Sequence, residues 1–428
     1  RTVPAPRLRD RLDHQLGHIM TWPVAGSRIW WLWLLAAAVG SGCSESLPTA
    51  SSADRRPYDD DARLLHPTFQ ALPHGSNDSV DLFLSMDRSE LLYLREQPEA
   101  PFVARMRLTF GQGSSEWVDT LAGSSDKMWR VRETWPLDSA LQMVSALTGE
   151  LADVHRGTSV AVRGSGSVPV FHADGWPIAS DQIARHTPLA VAAIPGSTWE
   201  IQTATLQPSL PAPPFSSSSS RRDSVALSSP RRVVVPPNGL LEIEVEASSL
   251  VLSNRREDGN FRPAIVLHGR RPDYPHVRSV DDLIECSRYI TSRAEYERMM
   301  GSDDPKAALD AFWLDCADEV PRAKSLINTF YDRVEEANLY FSGLKEGWRT
   351  DRGMVHIVFG VPTKVRRYSG QEWWIYGEEG TPNAVTFRFT RVPNELDANH
   401  YELDRSVTYR SAWDRMVTSW RNGRIRGD

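Results

Sequence analysis

At 428 residues the chain is longer than one ordinary core organises, which sets an expectation of roughly two to four domains. Hydrophobic residues at 40% and charged residues at 24% exclude wholesale disorder, because such a chain can bury a core. A formal net charge of −6 argues against nucleic acid as the main partner, since phosphate binding requires a basic face.

The first informative segment is Arg28 followed by the apolar run Ile29 to Val39 and then Gly40-Ser41-Gly42-Cys43. The run is too short for a membrane span, which takes about 20 apolar residues. A basic flank, a short apolar core and small residues before a cysteine are the pattern of a secretory signal. The segment resembles a lipobox, with Gly40 where leucine is usual. That resemblance implies cleavage before Cys43 and a covalent diacylglycerol/acyl lipid on Cys43, with no other cofactor expected. Cleavage by an ordinary signal peptidase is the alternative. On this reading residues 1–19 are an over-extended N-terminus, Met20 starts the precursor, and 20–42 are the signal peptide. The expected product is exported and membrane-anchored, facing the periplasm or the cell surface. Of the other cysteines, Cys286 and Cys316 are expected as buried free thiols rather than a disulfide. No Cys-x-x-Cys-His and no zinc-type Cys/His spacing occurs, so no metal is expected.

Residues 43–77 are polar, include Asp59-Asp60-Asp61, and predict a flexible tether. From 78 to 165, segments such as Val80 to Met86, Phe102 to Phe110 and Lys127 to Arg132 partly alternate apolar with polar residues, the period of half-buried strands in a β-sandwich. Leu137 to Leu151 fits either a helix or further strand. Residues 186–270 predict a second sandwich, with strands at Leu189 to Ile194, Trp199 to Ala204, Val233 to Val235, Leu241 to Glu246 and Ala264 to Leu267. Inside it, Pro208 to Arg232 carries Pro211-Ala212-Pro213-Pro214 and Ser216 to Ser220. That composition predicts a mobile linker between two sandwiches or a long insertion between strands of one. Fifteen tryptophans, among them Trp117, Trp129, Trp199, Trp373 and Trp374, fit core and sheet packing.

A helical segment is expected over 280–342. Thr291 or Ser292 can cap one helix, Asp304-Pro305 starts the next, and Leu309, Phe312, Trp313 and Cys316 recur at helical spacing. After Pro321 the stripe continues through Leu326, Phe330, Val334, Ala337 and Phe341, with Ser342-Gly343 as its predicted end, Gly343 in a left-handed conformation. Residues 343–423 predict a small α+β domain. Gly347 and Gly353 are expected to bend the chain by positive φ, Thr350 and Asp351 to bond backbone amides, and Trp348 to pin the bend to the core. Met354 to Phe359 is expected to open an antiparallel meander that continues through Val365, Glu372 to Tyr376 and Ala384 to Phe389. An amphipathic segment from Ala412 to Trp420 closes it. The fold class is thus mixed β and α+β: N-terminal antiparallel β-sandwich domain(s), a helical segment, and a small C-terminal α+β domain with an antiparallel meander.

One stretch carries a family signature. Arg288 to Ser292 with Glu295-Tyr296, Phe312-Trp313, Tyr331, Arg333-Val334 and Ala337-Asn338 lead into Gly347-Trp348-Arg349-Thr350-Asp351-Arg352-Gly353, followed by Gly360-Val361-Pro362 and Trp373 to Tyr376. Over about residues 283–390 this resembles the GWxTD-domain proteins of bacterial surface lipoproteins, a family with no assigned reaction. Asp351 with His356, or Arg349 with Arg352, are the only candidates for a reactive site near the motif, and neither brings a partner that general acid–base work requires. No Gly-x-Ser-x-Gly, P-loop or His-Glu-x-x-His occurs. No catalytic residue is therefore expected, and the motif, comprising Gly347, Trp348, Thr350, Asp351 and Gly353, is read as structural. The leading expectation is a lipid-anchored, non-enzymatic envelope protein that binds another envelope or membrane protein as scaffold or accessory subunit. The alternative is an envelope-polymer hydrolase or carbohydrate-binding lipoprotein using aromatic-rich strands.

Overall fold

In the computed structural model the described residues are 65–425, apart from 75–78, 111–112, 122–126, 137–147, 164–169, 218–223 and 256–258. The signal-like segment, Cys43, most of the tether and residues 137–147 of the ambiguous helix lie outside them. No helix among the described residues is long and apolar enough to cross a membrane.

Thr68–His74 (β1), Ser79–Asp87 (β2) and Met128–Pro136 (β5) form an antiparallel sheet in the order β1-β2-β5. Val103–Phe110 (β3), Gly113–Thr120 (β4), Thr148–Asp153 (β6) and Thr158–Arg163 (β7) form a second, in the order β4-β3-β6-β7. Ala71, Leu82, Leu84 and Met86 of the first meet Ala104, Met106, Leu108 and Leu151 of the second in one core, so the two sheets are a sandwich. One sequence expectation changes here. Strand β1 falls inside the segment read as tether: Phe69 and Ala71 alternate toward the core beside β2, a short signal that the acidic run before it obscures. Residues 148–151 are strand, which decides that part of the alternative left open over Leu137 to Leu151.

The second β region is built from Val170–His172 (β8), Gln182–Ala184 (β9), Pro188–Ala192 (β10), Thr198–Gln207 (β11), Ser224–Leu227 (β12), Arg231–Val234 (β13), Leu240–Glu244 (β14), Ser249–Arg255 (β15) and Phe261–Arg270 (β16). One sheet runs β14-β10-β8 and the other β12-β11-β15-β16-β9, with β13 also paired to β11. All of these pairings are antiparallel except β9 on β16. Leu189 and Val191 of β10 face the larger sheet, while Ala190 and Ala192 face Leu72 and Phe83 of the first sandwich. The four sheets therefore stack in layers, and β2, buried on both faces, loses the alternation expected of a half-buried strand. Strand β15 was not anticipated, because Ser249 to Ser253 is buried without alternation in mid-sheet. Since β12 and β13 both return to β11, Pro208 to Arg232 is an insertion within one sheet rather than a linker between sandwiches.

The C-terminal part holds six helices and a meander: Val280–Cys286 (α1), Arg293–Met300 (α2), Pro305–Ala317 (α3), Val320–Phe341 (α4), Asp351–Phe359 (α5), Lys364–Tyr368 (β17), Gln371–Tyr376 (β18), Val385–Arg391 (β19), Tyr401–Leu403 (β20) and Arg410–Arg421 (α6). Ser292 and Glu295 form a reciprocal capping box on α2, and Asp304 caps α3 with Pro305 at its start. Sheet order is β17-β18-β19-β20, each pair antiparallel. Cys286 and Cys316 are free and buried, and burial pushes both thiols up.

Met354 to Phe359, expected as the first strand of the meander, is helix α5 instead. Met354, Val355, His356, Ile357 and Val358 are all buried, so the run shows neither helical nor strand period. What decides the matter is the cap: Thr350 has extended backbone and its side chain accepts from the Gly353 amide, with Asp351 in the first turn. Gly360, at φ 77°, closes the helix, and β20 supplies the fourth strand. Gly343 does not take the predicted left-handed conformation; a Cβ there would collide with the Asp397 carboxylate. The helices from Ile284 onward and the meander share one core that runs to Trp420, so 280–342 and 343–423 pack as one body.

Candidate functional site

The motif sits where α4, α5 and the meander meet. After α4 ends, Gly347-Trp348-Arg349 make a single 3₁₀ turn and Thr350 caps α5. Neither Gly347 nor Gly353 has positive φ, which corrects the expectation that they bend the chain by that route. Both are glycines because of close approach. A Cβ on Gly347 would overlap the Ala337 carbonyl of α4, and one on Gly353 would overlap the Gly347 carbonyl.

The turn is held by buried and half-buried partners. The Gly347 amide donates to Ser342 Oγ at 2.7 Å, and the Trp348 amide to Asn338 Oδ1 at 3.2 Å. The Trp348 carbonyl accepts from Tyr289 Oη at 2.7 Å, while its indole, 1% exposed, donates to Glu346 at 3.1 Å. Thr350 Oγ1 donates to the Gly347 carbonyl at 2.7 Å and accepts from the Gly353 amide at 3.0 Å. The Arg349 guanidinium lies 4.1 Å from the centre of the Trp348 ring and pairs with Glu285 and Glu346. Burial by itself would depress this guanidinium, but the two carboxylates outweigh it and push it up.

Asp351 and Arg352 diverge from the start of α5. Asp351 accepts from the Leu403 amide at 2.8 Å and from both terminal nitrogens of Arg405, at 2.6 and 3.1 Å. Their side chains are 5% and 8% exposed, so this is a forked ion pair inside the protein. Arg352 donates to the Asn399 carbonyl at 2.8 Å, faces Glu372 at 3.6 Å and stacks 4.1 Å from the Tyr401 ring. His356 is wholly buried, with Nε2 at 2.6 Å from Glu336 Oε2. The two candidate pairs from the sequence are thus not brought together: Asp351 pairs with Arg405 rather than His356, and Arg349 and Arg352 hold different partners. Cys43, the expected lipidation site, lies outside the described residues.

A second constellation, invisible in the sequence, lies in the upper β stack. Ser249 Oγ is 2.8 Å from His268 Nδ1, and His268 Nε2 is 3.9 Å from Asp181. The order is that of a nucleophilic triad, yet the Ser249 hydroxyl is wholly buried and donates to the Ser248 carbonyl at 2.8 Å. Burial pushes His268 down to about 3, so the imidazole is neutral and serves as a satisfied core residue. Beside it, Arg270 ties the stack to the helical part, donating to Gln182 at 2.8 Å and to the Gly343 carbonyl at 2.5 Å. Among the described residues no cluster of His, Cys, Asp and Glu is arranged to hold a metal ion.

On the outer face of the meander Trp373 is half-buried, with Arg388 4.4 Å from its ring centre and the Tyr368 ring tilted at 55° to it, 5.0 Å between centres. Nothing local in the sequence marks Arg405, Glu336 or Asn399, since a lone polar or charged residue after a short strand, in a loop or on a helix face carries no pattern. No curated protein matches the chain. Residues 255–422 match the family model of the GWxTD domain, so the body from α1 through α6 is a GWxTD domain, and the match reaches back into the β stack over β16.

Proposed function

We propose that the protein is a lipid-anchored cell-envelope protein with a non-enzymatic binding, scaffold or accessory-subunit role. The observation that carries the reading is that the motif's chemistry is spent internally: Trp348, Thr350, Asp351 and the adjacent Arg352 and His356 each have their side chain engaged with a neighbour inside the fold. Side chains so engaged hold a shape and present surfaces rather than act on a substrate. The address is supported by Arg28, the apolar run Ile29 to Val39 and Cys43. For the carbohydrate-binding alternative a flat, open aromatic platform is needed. The tilted Tyr368–Trp373 pair with Arg388 on its face supports the first reading over it.

Mass spectrometry of the mature protein from membranes tests the address. The expected product begins at Cys43 and carries the diacylglycerol mass, and Cys43→Ala moves the protein from the membrane to the soluble fraction. An unmodified chain that begins at or before Met20 overturns the lipid anchor.

A further inference from the structure

The insertion after β11 has a use that its sequence composition conceals. Gln207 of β11 pairs directly with Ser224 of β12, so the chain leaves and re-enters the sheet at one point. Ordinary hairpins make such a connection with about two to five residues. The excursion is far longer than the turn requires, and its described part is laid on the GWxTD domain. Arg405 Nη2 donates to the Ala212 carbonyl at 3.0 Å, and the Ser406 amide donates to the Pro214 carbonyl at 3.1 Å. The Arg410 guanidinium lies over the Phe215 ring at 5.3 Å. Leu210 and Phe215 pack against the domain's core, and Pro214 is buried.

The segment closes in a turn, the Ser216 amide donating to the Pro213 carbonyl at 3.0 Å, and it is met in the way a proline-rich peptide is read. Proline offers no N–H, so the receptor addresses carbonyls, here at alternate residues, and takes flanking apolar side chains as anchors. The main donor is also held in place before any peptide arrives, because Asp351 grips Arg405 through two hydrogen bonds while the outer edge of the guanidinium reaches Ala212. The motif aspartate thereby acts on the surface through Arg405.

We propose that the Arg405–Ser406 face of the GWxTD domain is a binding site for a proline-rich polypeptide with leucine and phenylalanine anchors that turns at the phenylalanine, filled here in cis by Leu210 to Phe215, which an incoming segment of that kind displaces. The proposal rests on the partner-binding part of the reading above and does not use the lipid anchor. An unlipidated Cys43 leaves it standing, and failure to bind peptide leaves the anchor result standing.

The test is fluorescence-anisotropy titration of a labelled peptide, Pro208 to Ser217, against the full chain and against the full chain with residues 208–223 replaced by an Asn-Gly turn. Saturable binding to the strap-less chain is expected, at least tenfold tighter than to the intact chain, whose own strap competes at an effective concentration on the order of millimolar. The same peptide carrying Phe215→Ala is expected to bind at least tenfold more weakly. Absence of saturable binding to a folded strap-less chain, or equal binding by the intact chain, overturns the site. If the strap-less chain does not fold, the full-length double variant Leu210→Asp/Phe215→Asp takes its place with the same expected tightening. If neither folds, the strap is an integral part of the core and the proposal falls.

Discussion

The β stack and the GWxTD domain are held together by different kinds of interior. The cores of the four sheets are mainly aliphatic, built from residues such as Leu82, Leu84, Leu108, Leu151, Val191, Ile243 and Leu252. The core of the GWxTD domain contains Trp313, Trp348, Trp374, Trp420, Phe330, Phe341, Phe387 and Phe389, with Arg333, Asp351, Arg352, His356 and Glu372 buried among or beside them. An aliphatic slab tolerates exchange so long as volume and pattern persist. An interior made of large rings, close backbone crossings and buried ion pairs depends on particular atoms. That difference explains why a family signature is written in the GWxTD domain, whereas the stack is recognisable only by texture.

The comparison breaks most visibly at the backbone crossing. Gly347→Val places a side chain on the Ala337 carbonyl, where backbone and not a flexible tip must yield. A loss of about 4 kcal/mol or more, or failure to fold, is expected. Leu151→Val in the first sandwich should cost about 1 kcal/mol, since it removes little volume from a core that can adjust. Chemical denaturation of both variants reads the difference, and a near-native midpoint for Gly347→Val would show that α4 and the 3₁₀ turn are not in fixed contact.

Next in size is the tryptophan itself. Trp348→Ala is expected to destabilise the GWxTD domain by about 3–5 kcal/mol, as truncation of a fully buried aromatic does. Trp117→Ala on edge strand β4, where the ring is only half-buried, should cost less than about 2 kcal/mol. Equal losses would mean that the two interiors do not differ in kind. The ion pairs make a parallel contrast. Asp351→Asn leaves the Arg405 guanidinium buried without its carboxylate and should cost about 3 kcal/mol, while Arg107→Ala, in an exposed pair with Glu116, should cost about 0.5 kcal/mol or less.

The same contrast governs what could be read from residues alone. Alternation in Leu241 to Glu246 and the caps at Ser292 and Asp304 are local signals, and they mark β14, α2 and α3. Where burial surrounds an element, the local signal vanishes: β2 and β15 lose alternation between layers, and Met354 to Phe359 looks like a strand because its apolar residues cover every side of a helix. Thr350 between glycines reads as part of a bend, and only the fold shows that it starts α5. Long-range partners were out of reach altogether. Asp351 and Arg405 are separated by more than the length of the meander, and nothing in the sequence between them records that the chain returns. The role of the motif glycines likewise depends on a helix already laid beneath them, and positive φ, the usual reason for glycine, is the wrong one here.

The two regions also separate by pH. In the β stack His268 is pushed by burial from 6.5 down to about 3, and burial lowers His172 as well. For a group whose folded value is depressed, stability is fully present above the unfolded value and is lost as pH falls toward the folded one. The β stack should therefore begin to weaken as pH drops below about 6.5 and continue toward 3. In the GWxTD domain Glu295 is lowered from 4.5 to about 2, first by its hydrogen bonds from Arg421. Its contribution is held down to about pH 4.5 and then lost toward 2. It should amount to about 1–2 kcal/mol once the solvent around the partly exposed Arg421 is allowed for. Urea denaturation across pH separates the two, because His268→Gln should flatten the profile between 6.5 and 4.5 and Glu295→Gln only below 4.5. If His268→Gln leaves the upper limb unchanged, the buried Ser249–His268 pair is not what makes the β stack acid-sensitive, and the neutral core histidine would have to be sought at His172.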